Sequence, residues 1–430
     1  MVLGGATIFV IWGRQSQMLM LRRLRPTAAA SATARRGLAV ANTARTPGEL
    51  AATIASWGQV PYSPGPLSEA QVKQFHEEGF VVVHDIVPHE FLEGAKSAIN
   101  DLTSNIAKRL KMTGRIEDDL PDEPFASRLI KLDEQFEHTN VLLHKNGVLP
   151  EGIQDLWSHP HLLDAASQIL GEDEDIMGHP VWNIRCKTPE ALSQGQATVP
   201  WHQDNSYLSE ECWDKLQVTA WVPLVDATLE NGCMQVLRQG HLPGVTATHS
   251  CCVGGTWYND LEVEEMEKTI LSATGGRDVE EETVTCEVPF GGVLFLNNVI
   301  PHRSMVNNTN DIRWSLDLRW QRAGEPNGFH GLKESVLMRD GKDRSKPVQW
   351  AGFADVDRTK LQKGEGVMEE EVTKAVEEAG EAEGAVADGG EFDTTISGPW
   401  MHRWDLTHHN RHTATLAPEE DGPKMHGWGS

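Results

Sequence analysis

The sequence predicts an α+β protein with a mainly β core, a barrel or double-sheet jelly roll, flanked by helices that come first in the chain. Three observations predict it. Apolar residues recur at helical spacing through the front third of the chain. From about residue 177 the pattern changes to short strand-like runs, and few helical crossovers of the kind a parallel sheet needs separate those runs. The 430 residues, 39% of them hydrophobic, suffice for one large core or two modest ones.

Residues 1–48 contain no acid and seven arginines, with the Ser/Thr/Ala-rich run "RRLRPTAAASATARRGLAV". That composition predicts an organelle transit peptide, mitochondrial or alternatively plastid, rather than folded structure. The apolar run "GGATIFVIWG" is too short to span a bilayer and no later run is long enough, so the expectation is a soluble protein without a transmembrane segment. Folding is expected to begin near residue 66, within a domain over 60–325. In "LSEAQVKQFHEEGF", Ser68 and Gln71 form a capping-box pattern, Val72 and Phe75 share a face, and Gly79 suits a helix stop. "FVVV" follows as a buried strand. Helices are expected over residues 90–111 and 152–170, completing a helical support over 66–170.

The barrel is expected over 177–322. Its strands are "GHPVWNIRCK", "ATVPWHQD", "QVTAWVPLVD", "CMQVLR", "VTCEVPF", "GGVLFLNN" and "RWSLDLRWQ", with turn signals such as "ENG" and "FGG" between them. Residues 360–391 have low complexity and read as an acidic linker, and the aromatic and basic tail 392–430 is expected to dock back on the barrel. Within that tail, Arg403 and Trp404 are expected to cap a substrate pocket. His402, His408, His409 and His412 lack clean ligand spacing and read as surface residues rather than a second metal cluster.

The net charge is −25. Residues 260–282 carry nine acids against two bases and residues 364–391 ten against one, so the rest of the body is only mildly acidic. A polyanion would be repelled, which excludes nucleic acid as a partner while leaving an anionic small molecule open. The six cysteines form no CxxC pair and read as reduced thiols. Fourteen tryptophans against three tyrosines suit ordinary packing, with an aromatic cage for a cation as the alternative. The oligomeric state is not legible.

The motif that carries chemistry is "PWHQDNSYL". On a strand, residues two apart share a face, so His202 and Asp204 can offer a nitrogen and an oxygen to one point. Alone, the pair reads equally as a polar strand edge. His302, in "NNVIPHRSMVNNTNDIRWSLDLRW", supplies a third ligand from a distant strand. Two histidines and a carboxylate form the facial set of non-haem Fe(II) oxygenases, which leaves positions open for a co-substrate and oxygen. Arg313, eleven residues beyond His302 on the next strand, could grip the far carboxylate of a 2-oxo diacid, or serve as a structural ion-pair partner.

Together, "WHQDNSYL", "TAWVPLVDATLENGCMQVLRQGH" and "GGVLFLNNVIPHRSMVNNTNDIRWSLDLRW" resemble the phytanoyl-CoA dioxygenase family of Fe(II)/2-oxoglutarate oxygenases, and "LSEAQVKQFHEEGFVVVHDIV" resembles the family's opening. The resemblance covers about residues 66–322, with an insertion near 244–285. It implies a double-stranded β-helix, the cupin-like form of jelly roll. It also implies iron on His202, Asp204 and His302, and 2-oxoglutarate on Arg313 and Ser304. Trp221 would line the co-substrate pocket, unless it is simply core. Gln203 would touch the same ligand, Lys131 would be a further 2-oxoglutarate-binding lysine, and Asn183 a pocket residue.

The implied cofactors are Fe(II), 2-oxoglutarate and O2, with ascorbate as an accessory reductant. The implied reaction hydroxylates an unactivated carbon of a small-molecule substrate and yields succinate and CO2. Asp204 favours hydroxylation over halogenation, because halogenating relatives carry a small residue there. Desaturation or ring closure on the same fold, or a binding protein that has lost turnover, are the alternatives. No basic cluster for the phosphates of a CoA thioester and no peroxisomal ending is evident. The substrate wall is expected from residues 185–199, 205–215 and 244–285.

Overall fold

The computed structural model describes residues 46–276, 278–357, 392–414 and 416. The expected transit peptide, up to residue 45, and the acidic linker lie outside the described residues. Structure begins earlier than residue 66. Thr46 caps a helix, Pro47–Trp57, by a reciprocal capping box with Glu49, and Ile54 and Trp57 are buried in the main core. The arginine-rich composition just upstream hid this start.

The helix Glu69–Glu78 forms as expected. Ser68 and Gln71 cap each other, and Gly79 ends the helix at φ 88°. Any side chain at Gly79 would also meet the His241 ring at 2.5 Å. The long helix His89–Met112 buries one stripe, including Leu92, Ala95 and Ile99. The single helix expected over 152–170 is instead two, Glu151–Trp157 and Pro160–Leu170. Pro160 forces the preceding residue out of the helical region, and His159 is extended at ψ 133°. Shorter helices, Arg128–Gln135 and Thr139–His144, follow the long one.

The strands are β1 (Phe80–Val83), β2 (Ile176–Gly178), β3 (Asn183–Lys187), β4 (Val218–Pro223), β5 (Met234–Leu237), β6 (Ser250–Cys251), β7 (Thr283–Cys286), β8 (Val293–Asn297), β9 (His302–Ser304), β10 (Arg313–Arg322), β11 (Val336–Arg339) and β12 (Asp405–Leu406). A seven-stranded antiparallel sheet runs β1-β8-β4-β10-β2-β11, with β3 also paired to β10. A smaller sheet runs β7-β5-β9, and β12 pairs parallel to β6. The stretch "ATVPWHQD" is not a regular strand, for only His202 makes a bridge, to His302.

From β3 onward the chain crosses between the sheets: β3 in the large one, His202 beside β9 in the small one, then β4, β5 and β7, β8, β9 and β10. That winding is a double-sheet jelly roll. The sheets share an apolar cluster in which Phe80, Trp221, Leu294 and Leu296 meet Met234, Val236 and Cys286. The opposite face of the large sheet presents Trp314, Leu316, Leu318 and Trp320 to the helical layer. Packed structure runs past residue 325, since β11 extends the sheet and Phe353 and Ala354 join the core.

One expectation about the cysteines is overturned. Cys251 and Cys252 are joined by a disulfide between adjacent residues, a pairing that CxxC spacing does not address. Cys186, Cys212, Cys233 and Cys286 are free. Among the described residues no helix is long and apolar enough to cross a membrane.

Trp57 is 5% exposed, so Trp57→Ala is expected to cost roughly 3–5 kcal/mol in chemical denaturation. A chain beginning at residue 60 should melt well below one beginning at residue 46. Equal melting temperatures would show that the helix Pro47–Trp57 is not part of the folded body.

Candidate metal centre and its cavity

Two backbone hydrogen bonds join the distant histidines. His202 N donates to His302 O at 3.0 Å and His302 N to His202 O at 2.9 Å, which sets their rings side by side with centroids 4.2 Å apart. Each ring is oriented by a carbonyl two residues earlier. His202 Nδ1 lies 2.9 Å from Pro200 O, and His302 Nδ1 lies 3.0 Å from Ile300 O. A carbonyl only accepts, so Nδ1 carries the proton and Nε2 keeps its lone pair for a metal.

Asp204 opens a 3-10 turn, Asp204–Tyr207, that carries its carboxylate to the same point. Its Oδ1 lies 3.8 Å from His202 Nε2 and 3.9 Å from His302 Nε2. Its Oδ2 accepts from Arg319 Nε (3.2 Å), Arg319 Nη2 (3.0 Å) and Thr219 Oγ1 (3.0 Å). One carboxylate oxygen is thereby held by the scaffold while the other faces the imidazoles. These three side chains form a group whose ligand atoms all lie within 4.8 Å of one another, and no other such cluster of His, Cys, Asp and Glu occurs among the described residues. Burial, and the neighbouring His302, push His202 down to about 3, so its imidazole is neutral at physiological pH. Burial alone would raise Asp204, but Arg319 and the two histidines outweigh it and hold the carboxyl below the usual carboxylate range.

The strands that frame this centre alternate strictly. On β10, Arg313, Ser315, Asp317 and Arg319 share one face, in register with Lys187, Arg185 and Asn183 of β3 and with Trp221 and Thr219 of β4. Deeper in the cavity, Arg313 donates from Nη1 to Ser315 Oγ (2.7 Å) and from Nη2 to Gly232 O (3.1 Å), and its Nε is buried with no partner. No carboxylate pairs with it among the described residues. Burial lowers it to about 10, which leaves it charged at neutral pH. Its guanidinium lies 4.9 Å from the Trp221 ring centroid. Ser304 Oγ accepts from Lys187 Nζ (2.9 Å) and Val199 N (3.0 Å). Burial, then the Arg313 charge, pushes the Lys187 amine well down. Gly232, at φ 84°, must be glycine here: a Cβ would lie 2.5 Å from both Lys187 Cε and Met305 O.

His202, Asp204, His302, Trp221, Ser304 and Arg313 therefore line one cavity. Asn183 lines the adjoining outer cavity, where its Nδ2 donates to Asp317 Oδ2 at 3.3 Å. Two expectations need correction. Gln203 faces away from both cavities, because alternation turns it opposite to its neighbours; it donates to Val245 O (2.9 Å) and Val299 O (2.5 Å) and accepts from Ala247 N (2.8 Å). Lys131 sits on the outer side of the helix Arg128–Gln135, with 47% of its side chain exposed, and pairs with Glu123 at 2.6 Å. The lysine beside Ser304 is Lys187. The polar, apolar, polar alternation of "NIRCK" was the signal for it, as "RWSLDLRWQ" was for Arg319.

The outer cavity takes walls from expected stretches, such as Val199, Tyr207 and Trp257, from the segment 393–400 of the tail expected to dock on the barrel, and from one unexpected place, the helix end at His144. That segment is pinned over the cavity. Lys145 Nζ pairs with Asp393 at 2.6 Å, and Arg411 Nη1 donates to Thr394 O (2.6 Å) and Oγ1 (2.8 Å). Trp400, not Arg403 or Trp404, lines the cavity. Trp404 instead stacks on Trp213 and donates to Ser206 O (2.9 Å), and Arg403 pairs with Glu210 (2.8 Å).

Several solved structures resemble the chain. The apo non-haem monooxygenase ThoJ is 20% identical, with 65% of this chain and 87% of that chain covered at a TM-score of 0.43. EctD from S. alaskensis with 2-oxoglutarate and 5-hydroxyectoine is 16% identical, covering 69% and 86% at 0.41. SnoN, a non-haem alpha-ketoglutarate-dependent epimerase from nogalamycin biosynthesis, is 16% identical, covering 60% and 86% at 0.36. No curated protein matches the chain. The profile of the phytanoyl-CoA dioxygenase family (PhyH) matches residues 75–315, more than half of the sequence, and the chain belongs to that family.

Proposed function

We propose that the protein is an Fe(II)- and 2-oxoglutarate-dependent dioxygenase that hydroxylates an unactivated carbon of a small molecule. The observation that carries this reading is the pairing of two features in one cavity. One is a set of two imidazole nitrogens and one carboxylate oxygen converging on a point; the other is a buried guanidinium without an anionic partner. The donor set fits Fe(II), as both imidazoles are held with Nε2 free and the carboxylate with one oxygen free. An unpaired buried charge is costly, and a dicarboxylate bound to Arg313 would relieve that cost.

His202, His302 and Asp204 would hold the iron, with Arg319 and Thr219 fixing the carboxylate so that only Oδ1 faces the metal. Arg313 would grip the far carboxylate of 2-oxoglutarate, with Ser304 and Lys187 beside it and Trp221 as the wall. When bound, the iron and 2-oxoglutarate supply the oxidising chemistry: 2-oxoglutarate, O2 and a C–H bond become succinate, CO2 and C–OH. The aromatic and aliphatic walls of the outer cavity would hold the substrate carbon and exclude water from it. The acid-free, arginine-rich first 48 residues support import into an organelle, the mitochondrion or alternatively the plastid, before the enzyme acts.

The test is succinate formation from 2-oxoglutarate by a chain beginning at residue 46, with and without Fe(II) and with pooled metabolites as substrates. Iron-dependent succinate that rises with one pool and is lost in His202→Ala is the expected result. A folded, iron-binding protein that forms no succinate with any pool would move the reading to a binding protein.

Two arginines should fail in different ways. Arg319→Met is expected to weaken Fe(II) by roughly 10–100-fold, the cost of losing an outer hydrogen bond to a metal ligand. It should leave metal-saturated 2-oxoglutarate affinity nearly unchanged. Arg313→Gln should retain iron and weaken 2-oxoglutarate by at least about 30-fold, since truncating one member of a buried charge pair costs about 2–5 kcal/mol. Metal and 2-oxoglutarate titrations followed separately check both, and identical profiles for the two variants would contradict the assignment.

A further inference from the structure

Arg185 is a half-buried cation that the proposed reaction leaves unused. It stands in the middle of β3, on the same face as Asn183 and Lys187, and its guanidinium borders both the inner and the outer cavity. Nε donates to Asp317 Oδ2 at 2.8 Å, and the Tyr258 hydroxyl lies beside it. Although it sits inside the protein, 24% of its side chain remains accessible, at the junction between the metal end and the outer space.

The balance of charge around it is uneven. Four arginines (185, 313, 319 and 411) and Lys187 line the inner cavity, against two carboxylates, Asp204 and Asp317. Arg319 occupies Asp204, and Asp317 is shared by Arg185, Asn183 and, at 3.8 Å, Arg319. Arg411 donates to the neutral oxygens of Thr394, with the carboxylates of Glu137, Asp133 and Asp393 near it, so the unbalanced charge lies at the Arg313 and Arg185 end. A divalent metal and a dianionic co-substrate cancel each other, so the loaded site keeps a cationic excess in a low-dielectric space. A second cation would be repelled there, whereas an anion would gain a charge-assisted, two-pronged contact.

The aromatic walls, among them Tyr207, Trp257 and Trp400, would by themselves also suit a cationic ligand. The acids that would have to complete such a cage are already taken, Asp317 by Arg185 and Asp393 by Lys145. The charge balance therefore decides against the cage.

We propose that the substrate is a carboxylic acid whose carboxylate sits on the Arg185 guanidinium, with its apolar body in the outer cavity between Trp257 and Trp400. This rests on the oxygenase reading, which assigns Arg313 to 2-oxoglutarate and so leaves Arg185 to the substrate.

The experiment is calorimetric titration of protein loaded with Zn(II) and saturating 2-oxoglutarate, a complex that cannot turn over. The probes are benzoate, phenylacetate, 3-phenylpropanoate and hexanoate, each beside its primary amide. At least one acid is expected to bind about tenfold or more tightly than its amide, the size of effect a charged hydrogen-bonded contact provides. The double variant R185Q/D317N removes both charges together and strands no carboxylate. It should lose that preference while binding 2-oxoglutarate as the unaltered protein does, and R185K should keep part of the preference. The proposal is overturned if no acid outbinds its amide, or if the preference survives in the double variant. Failure of the unaltered protein to bind 2-oxoglutarate with metal present would instead defeat the oxygenase reading. The comparison of acid with amide, repeated on the metal-loaded protein alone, would still judge the role of Arg185.

Discussion

Strand β10 has to satisfy two environments at once. Trp314, Leu316, Leu318 and Trp320 face the helical layer, while Arg313, Ser315, Asp317 and Arg319 face the space between the sheets. Both the core and the chemistry follow from that two-residue period. A slip of one residue would drive three charged groups into the apolar layer and two tryptophans into the cavity, so the alternative register is excluded energetically. Pairing on both edges, with β4 on one side and β3 then β2 on the other, locks it.

Given that register, the buried charges are arranged in a definite order. Arg319 neutralises Asp204 and aims it, Arg185 holds Asp317 through its Nε, and Arg313 meets only neutral oxygens among the described residues. A buried guanidinium with only neutral partners is costly, and an anion bound beside it would relieve that cost. The metal end follows the same logic in reverse. His202 is held neutral by burial, and both imidazoles have Nδ1 committed to a backbone carbonyl, so the coordination point is shaped by the chain itself. Most of the site is built on strands and backbone bridges rather than on free loops, which favours a fixed geometry.

Much of this was legible in the sequence. The alternation of "RWSLDLRWQ", the capping box at Ser68 and the spacing of His202, Asp204, His302 and Arg313 lead directly to the jelly roll and to a metal with a neighbouring cation. What escaped depends on contacts between segments far apart in the chain. The resemblance offers Lys131 as the co-substrate lysine, and only the pairing of β3 with β10 shows that the lysine beside Ser304 is Lys187. Gln203 is expected to touch the co-substrate because it lies inside the motif, yet a residue between two convergent side chains must point the other way. The capping box that opens the helix Pro47–Trp57 follows directly on an arginine-rich, acid-free stretch whose composition masks it. The return of the tail to the barrel was legible, but the segment 393–400 as the part that closes the cavity was not, because its anchor at Lys145 lies 248 residues away.

The measurement that tests the central claim most directly is equilibrium dialysis of the purified chain with Fe(II) and 2-oxoglutarate, without oxygen. The account predicts one iron and one 2-oxoglutarate per chain, with 2-oxoglutarate binding dependent on the metal and iron lost in Asp204→Ala. Iron that remains bound without Asp204, or 2-oxoglutarate that binds equally well with no metal present, would contradict it.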